Sequence, residues 1–231
     1  MPDNNYSHLG MFVGVVMSSN MASLKGVPLF AGVPEEHLEA VARMAVKRKF
    51  SRHRTIVYAG DKTNSLFVII SGSVKVLSRD AEGREVILAF LGKGECFGEM
   101  GLIDGSPRSA DVLAFDTCEL LEISRDDLVK ALKDNSDLSL NIMRSLVTRL
   151  RQANWKIEGL ALMDVYGRVA KNLFDLSEVI EGVRVIRHKV TKQDMAKLVG
   201  ASREMVTRVM KDLERSGYIR IESGNIVITV D

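Results

Sequence analysis

The sequence predicts an α+β protein in three parts: a compact barrel or sandwich of short strands, one long helix, and a small helical domain that closes in a β-hairpin. Three observations carry this reading. Glycines punctuate strand-length apolar runs up to about residue 137. Apolar residues then recur at alternating spacings of three and four between positions 143 and 160. Beyond Val165, two capped helical patterns follow one another across Gly200-Ala201-Ser202.

The composition fits this architecture. Of 231 residues, 46% are hydrophobic and 27% charged, which excludes a disordered or collagen-like chain and allows one or two domains. Lys+Arg 32 against Asp+Glu 30 leaves a formal net charge of +2, with no overall bias toward nucleic acid or a membrane. Two cysteines, Cys96 and Cys118, are too few for a disulfide framework, a four-thiolate cluster or a structural zinc site, and point to a reducing cytoplasm. The apolar stretch 11–17 is far shorter than the roughly 20 residues a membrane helix needs, and it lacks the flanks of a signal peptide. Residues 1–20 read as a flexible tail, with Met21 an alternative start.

In the first part, 21–136, Pro34 opens a helix from 35 to about 46. Strands are expected at 65–70, 73–77, 85–90 and 118–123, separated by Ser71-Gly72, Glu82-Gly83 and Gly92-Lys93-Gly94. Ser124 caps a short helix at 126–132. The second part, 137–164, places Met143, Leu146, Leu150, Ala153, Ile157 and Leu160 on one narrow stripe, with Arg144, Arg149, Arg151, Lys156 and Glu158 solvated beside it. A stripe this narrow suits pairing with a second copy better than lying on a sheet. The third part, 165–231, holds a helix at 166–177, a helix opened by Thr191 with Asp194 at its third position and closed by Gly200, and a helix capped by Ser202 that runs to Arg215 before Gly217. Strands at 218–221 and 226–230 form the closing hairpin across Ser223-Gly224-Asn225.

Two groups of residues carry chemistry. Between strand patterns lies F-G-E-M-G-L-I-D-G-S-P-R-S-A, residues 97–110. Glycines on either side of Glu99 allow close backbone approach, Arg108 after Pro107 offers a planar fork for a phosphate, and a carboxylate accepts hydrogen bonds from sugar hydroxyls. An arbitrary Glu and Arg on a turn would more simply be a surface pair, but these fourteen positions resemble, in order and spacing, the phosphate-binding cassette of the cyclic-nucleotide-binding domain family. Residues 68–74 resemble the glycine-bearing strand turn of that family's jelly-roll-like β-roll, and the likeness extends over about 25–136. The resemblance implies that Glu99 binds the ribose 2'-hydroxyl and that Arg108 and Ser109 bind the cyclic phosphate, with Gly98, Met100 and Ala110 also lining the ligand. It further brings the adenine contacts onto Ala153 and Asn154. Ala153 cannot donate a hydrogen bond, and Asn154 reads a purine differently from a serine. The expected ligand is therefore cAMP, with cGMP and cyclic di-GMP as alternatives.

The second group lies on the helix that Ser202 caps. Val206, Val209, Met210 and Leu213 define its inward face, while Arg203, Glu204, Thr207, Arg208 and Lys211 point outward. A turn of three residues with a glycine is helix-turn-helix spacing, and side chains in the first turn of a recognition helix meet base edges. Arginine bonds bidentately to guanine and glutamate accepts from cytosine N4; Lys192, Lys197, Lys211 and Arg220 suit phosphates. A charged helical face alone is usually just a solvated surface. Residues 190–219 nevertheless resemble the winged helix-turn-helix of the cAMP receptor protein and fumarate-nitrate regulator family, and 160–170 resembles that family's hinge. The resemblance implies a homodimer with recognition helices about 34 to 36 Å apart, a pseudo-palindromic site with half-sites like TGTGA, and RNA polymerase as a partner.

The family's redox branch holds an iron–sulfur cluster on N-terminal cysteines, and this chain has none before Cys96. Its carbon-monoxide branch holds haem, and His37, His53 and His188 do not fall at the positions that resemblance requires; with His8 they read as surface or structural. No haem, iron–sulfur cluster or metal is expected. No nucleophile–base pair accompanies Glu99 and Arg108, so no catalytic residue is assigned. A regulatory subunit of a kinase or channel is the competing class, and it has no use for Arg203-Glu204 on a capped helix. Within the near-neutral total, residues 165–231 hold twelve Lys+Arg and nine Asp+Glu, a local excess of +3.

Overall fold

The computed structural model describes residues 19–186, 190–222 and 225–229. The chain divides into two compact units, the first comprising residues up to Ser78 together with Ala89–Arg149, the second Arg79–Leu88 together with Leu150–Asp231. After a 3-10 turn at Pro28–Phe30, the elements in chain order up to the long helix are α1 (Glu35–Met44), β1 (Val46–Phe50), β2 (Thr55–Val57), β3 (Ser65–Ser71), β4 (Val74–Arg79), β5 (Glu85–Leu91), β6 (Cys96–Phe97), α2 (Glu99–Asp104), β7 (Asp111–Ala114), β8 (Cys118–Ser124), α3 (Arg125–Asp134) and α4 (Ser136–Leu162).

The strands form two four-stranded sheets, in the orders β1-β8-β3-β6 and β2-β7-β4-β5. β3 shows why the roll closes. Leu66 and Val68 point into one core with Leu24, Phe30, Leu38, Val41 and Leu128. Phe67 and Ile69 point into the other, with Val74, Phe97, Val112 and Leu120. Side chains alternate along a strand, so a strand covered on both faces reads as the unbroken apolar run at 66–70. Gly72 turns β3 into β4 at a φ of 76°, and a Cβ there would collide with the Thr117 carbonyl. Glycine is therefore required at this turn by conformation and by space.

Four strands of the roll were not expected. β1 is basic, with Val46 and Lys47 through Lys49 exposed, and helix α1 stops at Met44 so that β1 can pair with β8. β6 is two residues long, and β2 and β7 three and four. The tail expectation is corrected at its end. Residues 1–18 lie outside the described residues, but Asn20 is 2% exposed and its Nδ2 donates to the carbonyls of Ala42 and Ala45 at 3.1 and 2.9 Å, closing the C-terminus of α1. Replacing Asn20 with Ala strands those carbonyls and should cost about 1 to 3 kcal/mol in thermal or urea unfolding.

α4 is also corrected. Leu138 and Ile142 are buried in the first core, and Leu146 packs against it rather than sharing the outer stripe. The outer face instead carries Met143, Val147, Leu150 and Ile157, at 54%, 49%, 61% and 64% exposure. His37 sits beside the start of this helix, its Nδ1 3.0 Å from Nδ2 of Asn135, and Asn135 Oδ1 accepts from the Leu138 amide at 2.8 Å. His53 adopts a φ of 67° in the β1–β2 turn. His8 and His188 lie outside the described residues.

The second unit contains α5 (Val165–Leu176), β9 (Glu178–Ile180), β10 (Val183–Ile186), α6 (Lys192–Val199), α7 (Arg203–Arg215), β11 (Ile219–Glu222) and β12 (Asn225–Ile228). Its sheet runs β11-β12-β10-β9, and Val169, Leu173, Ile186, Met195, Val206, Leu213 and Ile219 form its core. The β9–β10 pair was not anticipated. Residues 223–224 of the expected closing turn and Val230 lie outside the described residues.

Candidate nucleotide and nucleic-acid sites

β6 ends at Phe97, and Gly98 then takes a φ of 89° to start the short helix α2, which was not among the expected elements. Two of the three cassette glycines leave no room for a side chain. A Cβ on Gly98 would strike Nη1 of Arg108, and one on Gly101 would strike the Ser106 carbonyl and the Thr63 hydroxyl. Asp104 Oδ1 accepts from the Ser106 amide at 2.8 Å, and the Arg108 amide donates to the Asp61 carbonyl at 2.8 Å. These bonds fix where the cassette arginine leaves the backbone.

Arg108 is 8% exposed. Its Nη2 donates to the Ser65 carbonyl at 2.8 Å and to Ser65 Oγ at 3.3 Å, its Nη1 donates to the Gly98 carbonyl at 3.3 Å, and the guanidinium lies 5.8 Å from the Phe67 ring centroid. Burial pulls its pKa down, against the charges of Asp61, Glu99 and Glu122. Of five N–H donors in a guanidinium, these acceptors leave two, on Nε and Nη1. Ser109 is exposed, with Oγ 4.0 Å from Met100 Sδ; Met100 is exposed and Ala110 buried.

Glu99 is 2% exposed. Its ion-pair partner is not Arg108 but Arg149 of α4, whose Nη1 lies 2.6 Å from Oε1 and whose Nη2 also bonds the Cys96 carbonyl. From its spacing Arg149 was expected on the solvated flank of the stripe. No sequence signal marks it, because Leu146, three residues before it on the same helix face, is itself turned inward only by packing against the first core. The second oxygen, Oε2, is buried without a hydrogen-bond partner among the described residues. A buried carboxylate oxygen left open in this way suits a ligand hydroxyl. Asn154 is exposed on the part of α4 that belongs to the second unit.

The cysteines are not reactive groups. Burial pushes the Cys96 thiol up to about 12, with the Glu99 carboxylate adding to the effect. Burial likewise pushes Cys118 up to about 11. Both remain protonated at neutral pH and act as small apolar side chains.

In the second unit, Thr191 Oγ1 accepts from the Asp194 amide at 3.0 Å to open α6, and Gly200 closes it at a φ of 64°. Ser202 Oγ accepts from the Met205 amide at 3.1 Å to open α7. Val206, Val209, Met210 and Leu213 are buried as expected, and Arg203, Glu204, Arg208 and Lys211 are exposed. Thr207 is half-buried and its hydroxyl donates back to the Arg203 carbonyl at 2.8 Å. The Glu204 carboxyl is held below its ordinary range by its own amide, the Ser202 hydroxyl and Arg203, so it is an ionised acceptor at the helix start. Among the described residues, no cluster of His, Cys, Asp and Glu has the makings of a metal site, and no helix is long and apolar enough to cross a membrane.

Comparison with known proteins gives these two centres a context. The cyclic nucleotide-binding domain matches residues 47–135, and the Crp-like helix-turn-helix domain matches residues 167–230. The cAMP-activated global transcriptional regulator Vfr of Pseudomonas aeruginosa is 37% identical over 200 residues, covering 84% of this chain and 94% of that one. The cAMP-activated global transcriptional regulator CRP of Haemophilus influenzae is 37% identical over 184 residues, covering 78% and 82%. The structure of the c-di-GMP responsive global regulator CLP of Xanthomonas campestris superposes with a TM-score of 0.73 at 30% identity, over 86% of this chain and all of that one. With the buried cassette in the first unit, the capped helix pair in the second and near full-length relatives of both kinds, the chain belongs to the Crp-like family of cyclic-nucleotide-binding, DNA-binding transcription regulators.

Proposed function

We propose that this regulator is a homodimer that binds cAMP in its β-roll and, in that state, binds a pseudo-palindromic DNA site. The observation that carries the ligand reading is the Glu99 carboxylate, paired on one oxygen with Arg149 and open on the other. The open oxygen accepts the ribose 2'-hydroxyl, while Arg108, through its two remaining donors, and Ser109 take the cyclic phosphate. Gly98, Met100 and Ala110 line the same cassette. Because Arg149 stands on α4, a hydroxyl on Glu99 acts on the helix that carries the outer stripe. Ligand then favours one arrangement of that helix through its differential affinity for the two states.

Asn154 falls four residues after Leu150 and three before Ile157, on the spacing of that stripe, and its amide reads the base. Two names among the relatives, cAMP-activated and c-di-GMP responsive, make cyclic di-GMP the second reading. Calorimetry with cAMP, cGMP and cyclic di-GMP tests the ligand reading. One cAMP per protomer is expected; heat from cyclic di-GMP alone would select the second reading, and no heat from any of the three would overturn both.

On DNA, Ser202 fixes the start of α7, Arg203 and Arg208 meet guanines, Glu204 accepts from a cytosine, and Thr207 and Lys211 contact the flanking backbone. Glu204→Ala should relax selectivity at one base pair by about 1 to 3 kcal/mol, measured by competition between duplexes that differ there; uniform weakening on every duplex would contradict base reading. The protein acts in the cytoplasm, recruits or contacts RNA polymerase, and has no catalytic role.

A further inference from the structure

The turn between β4 and β5 belongs to the second unit, since Arg79–Leu88 groups with the residues from Leu150 onward. Two lysines hold it there. Lys197 of α6 places Nζ 2.5 Å from Glu85 Oε2, and Lys156 of α4 donates to the Leu88 carbonyl at 2.5 Å. Arg79 pairs with the other Glu85 oxygen at 2.9 Å. The side chains of Lys197 and Glu85 are only 25% and 23% exposed. Gly83, Glu85 and Val86 share a cleft of about 650 Å³ with Lys197, Ala201 and Arg203, which places the Glu85 carboxylate beside the start of α7.

In a helix-turn-helix the second helix enters the groove by its N-terminal residues while the first crosses the phosphate backbone. Lys197, on the first helix, is thus placed as a phosphate contact. Its ammonium is already occupied by a carboxylate, which offers the same anionic oxygens that a phosphate does. We propose that Glu85 is a built-in phosphate mimic: it holds Lys197 in an ion pair that must open before Lys197 reaches DNA, so the β4–β5 turn lowers affinity for all duplexes alike. Glu85 is thereby an internal competitor for a residue that carries no sequence information, separate from the ligand and base contacts.

The pair is partly exposed, so the effect is modest. An ion pair of this kind is worth about 0.2 to 1 kcal/mol, and its removal from the unbound state should tighten DNA binding by up to about fivefold. Each additional phosphate contact also steepens the fall of log K with log salt by about 0.9.

The test is Glu85→Gln in the full chain with cAMP present, read by fluorescence anisotropy on a duplex carrying an inverted TGTGA repeat and on a scrambled duplex, from 50 to about 200 mM salt. Tighter binding on both duplexes with a steeper salt slope is expected, and Glu85→Gln should change nothing when Lys197 is already Ala. Unchanged affinity and slope would overturn the proposal, as would a gain that persists in the Lys197→Ala background or appears on one duplex only.

Discussion

Replacing Arg108 with alanine should weaken cyclic-nucleotide binding by about 2 to 5 kcal/mol, roughly thirty- to several-thousandfold, the usual cost of removing one partner from a buried charge-assisted contact. The same change leaves the Ser65 and Gly98 carbonyls without their guanidinium donor, which should lower stability by a further 1 to 3 kcal/mol or so. The two effects separate in Arg108→Lys. Lysine keeps the charge but not the planar fork, so affinity should fall while part of the stability returns. Calorimetry reads the first quantity and thermal unfolding the second. An Arg108→Ala protein that melts lower but binds cAMP as the parent does would assign the arginine to the fold alone and contradict the site.

Leu150→Asp should have the opposite profile. Leu150 is 61% exposed on α4, with Val147 and Ile157 on the same face at 49% and 64%, so its loss costs the protomer little, within about 0.5 kcal/mol. A charge in a seam between two copies of this helix is incompatible with burial, and the dimer should dissociate in sedimentation at micromolar concentration. DNA affinity should then fall by about a hundredfold or more, because a second half-site engaged by a tethered domain commonly contributes that much. Retained dimerisation in Leu150→Asp would place the dimer contact elsewhere.

How far the sequence alone could have led depends on whether a residue's role is set by its neighbours in the chain or by the fold. The caps are local, and Ser124, Thr191 and Ser202 each accept the amide three residues on, as their types and positions indicated. The cassette is also local in the sequence, and the fold buries both Glu99 and Arg108. Arg149 lies 50 residues from Glu99, and only the placement of α4 reveals that it enters the site. For the same reason Leu146 and Val147 exchanged faces: alternate three-and-four spacings from Met143 permit either, and packing of Leu138 and Ile142 into the first core selects one. β1, with three consecutive basic residues, is a strand because β8 pairs with it; its composition gives no strand signal. The tight fit of Gly98 against Arg108 and of Gly101 against Thr63 and Ser106 belongs to the folded cassette and had no counterpart in the sequence pattern.

One coupling is central to how the protein works: occupancy of the Glu99–Arg108 cassette controls DNA binding by α7. A mobility-shift titration tests it most directly, with a duplex bearing an inverted TGTGA repeat held at fixed protein concentration while cAMP, cGMP or cyclic di-GMP is added. A retarded complex should form as cAMP rises, be absent without nucleotide, and be lost in Arg108→Ala. An equal shift with and without every nucleotide would contradict it.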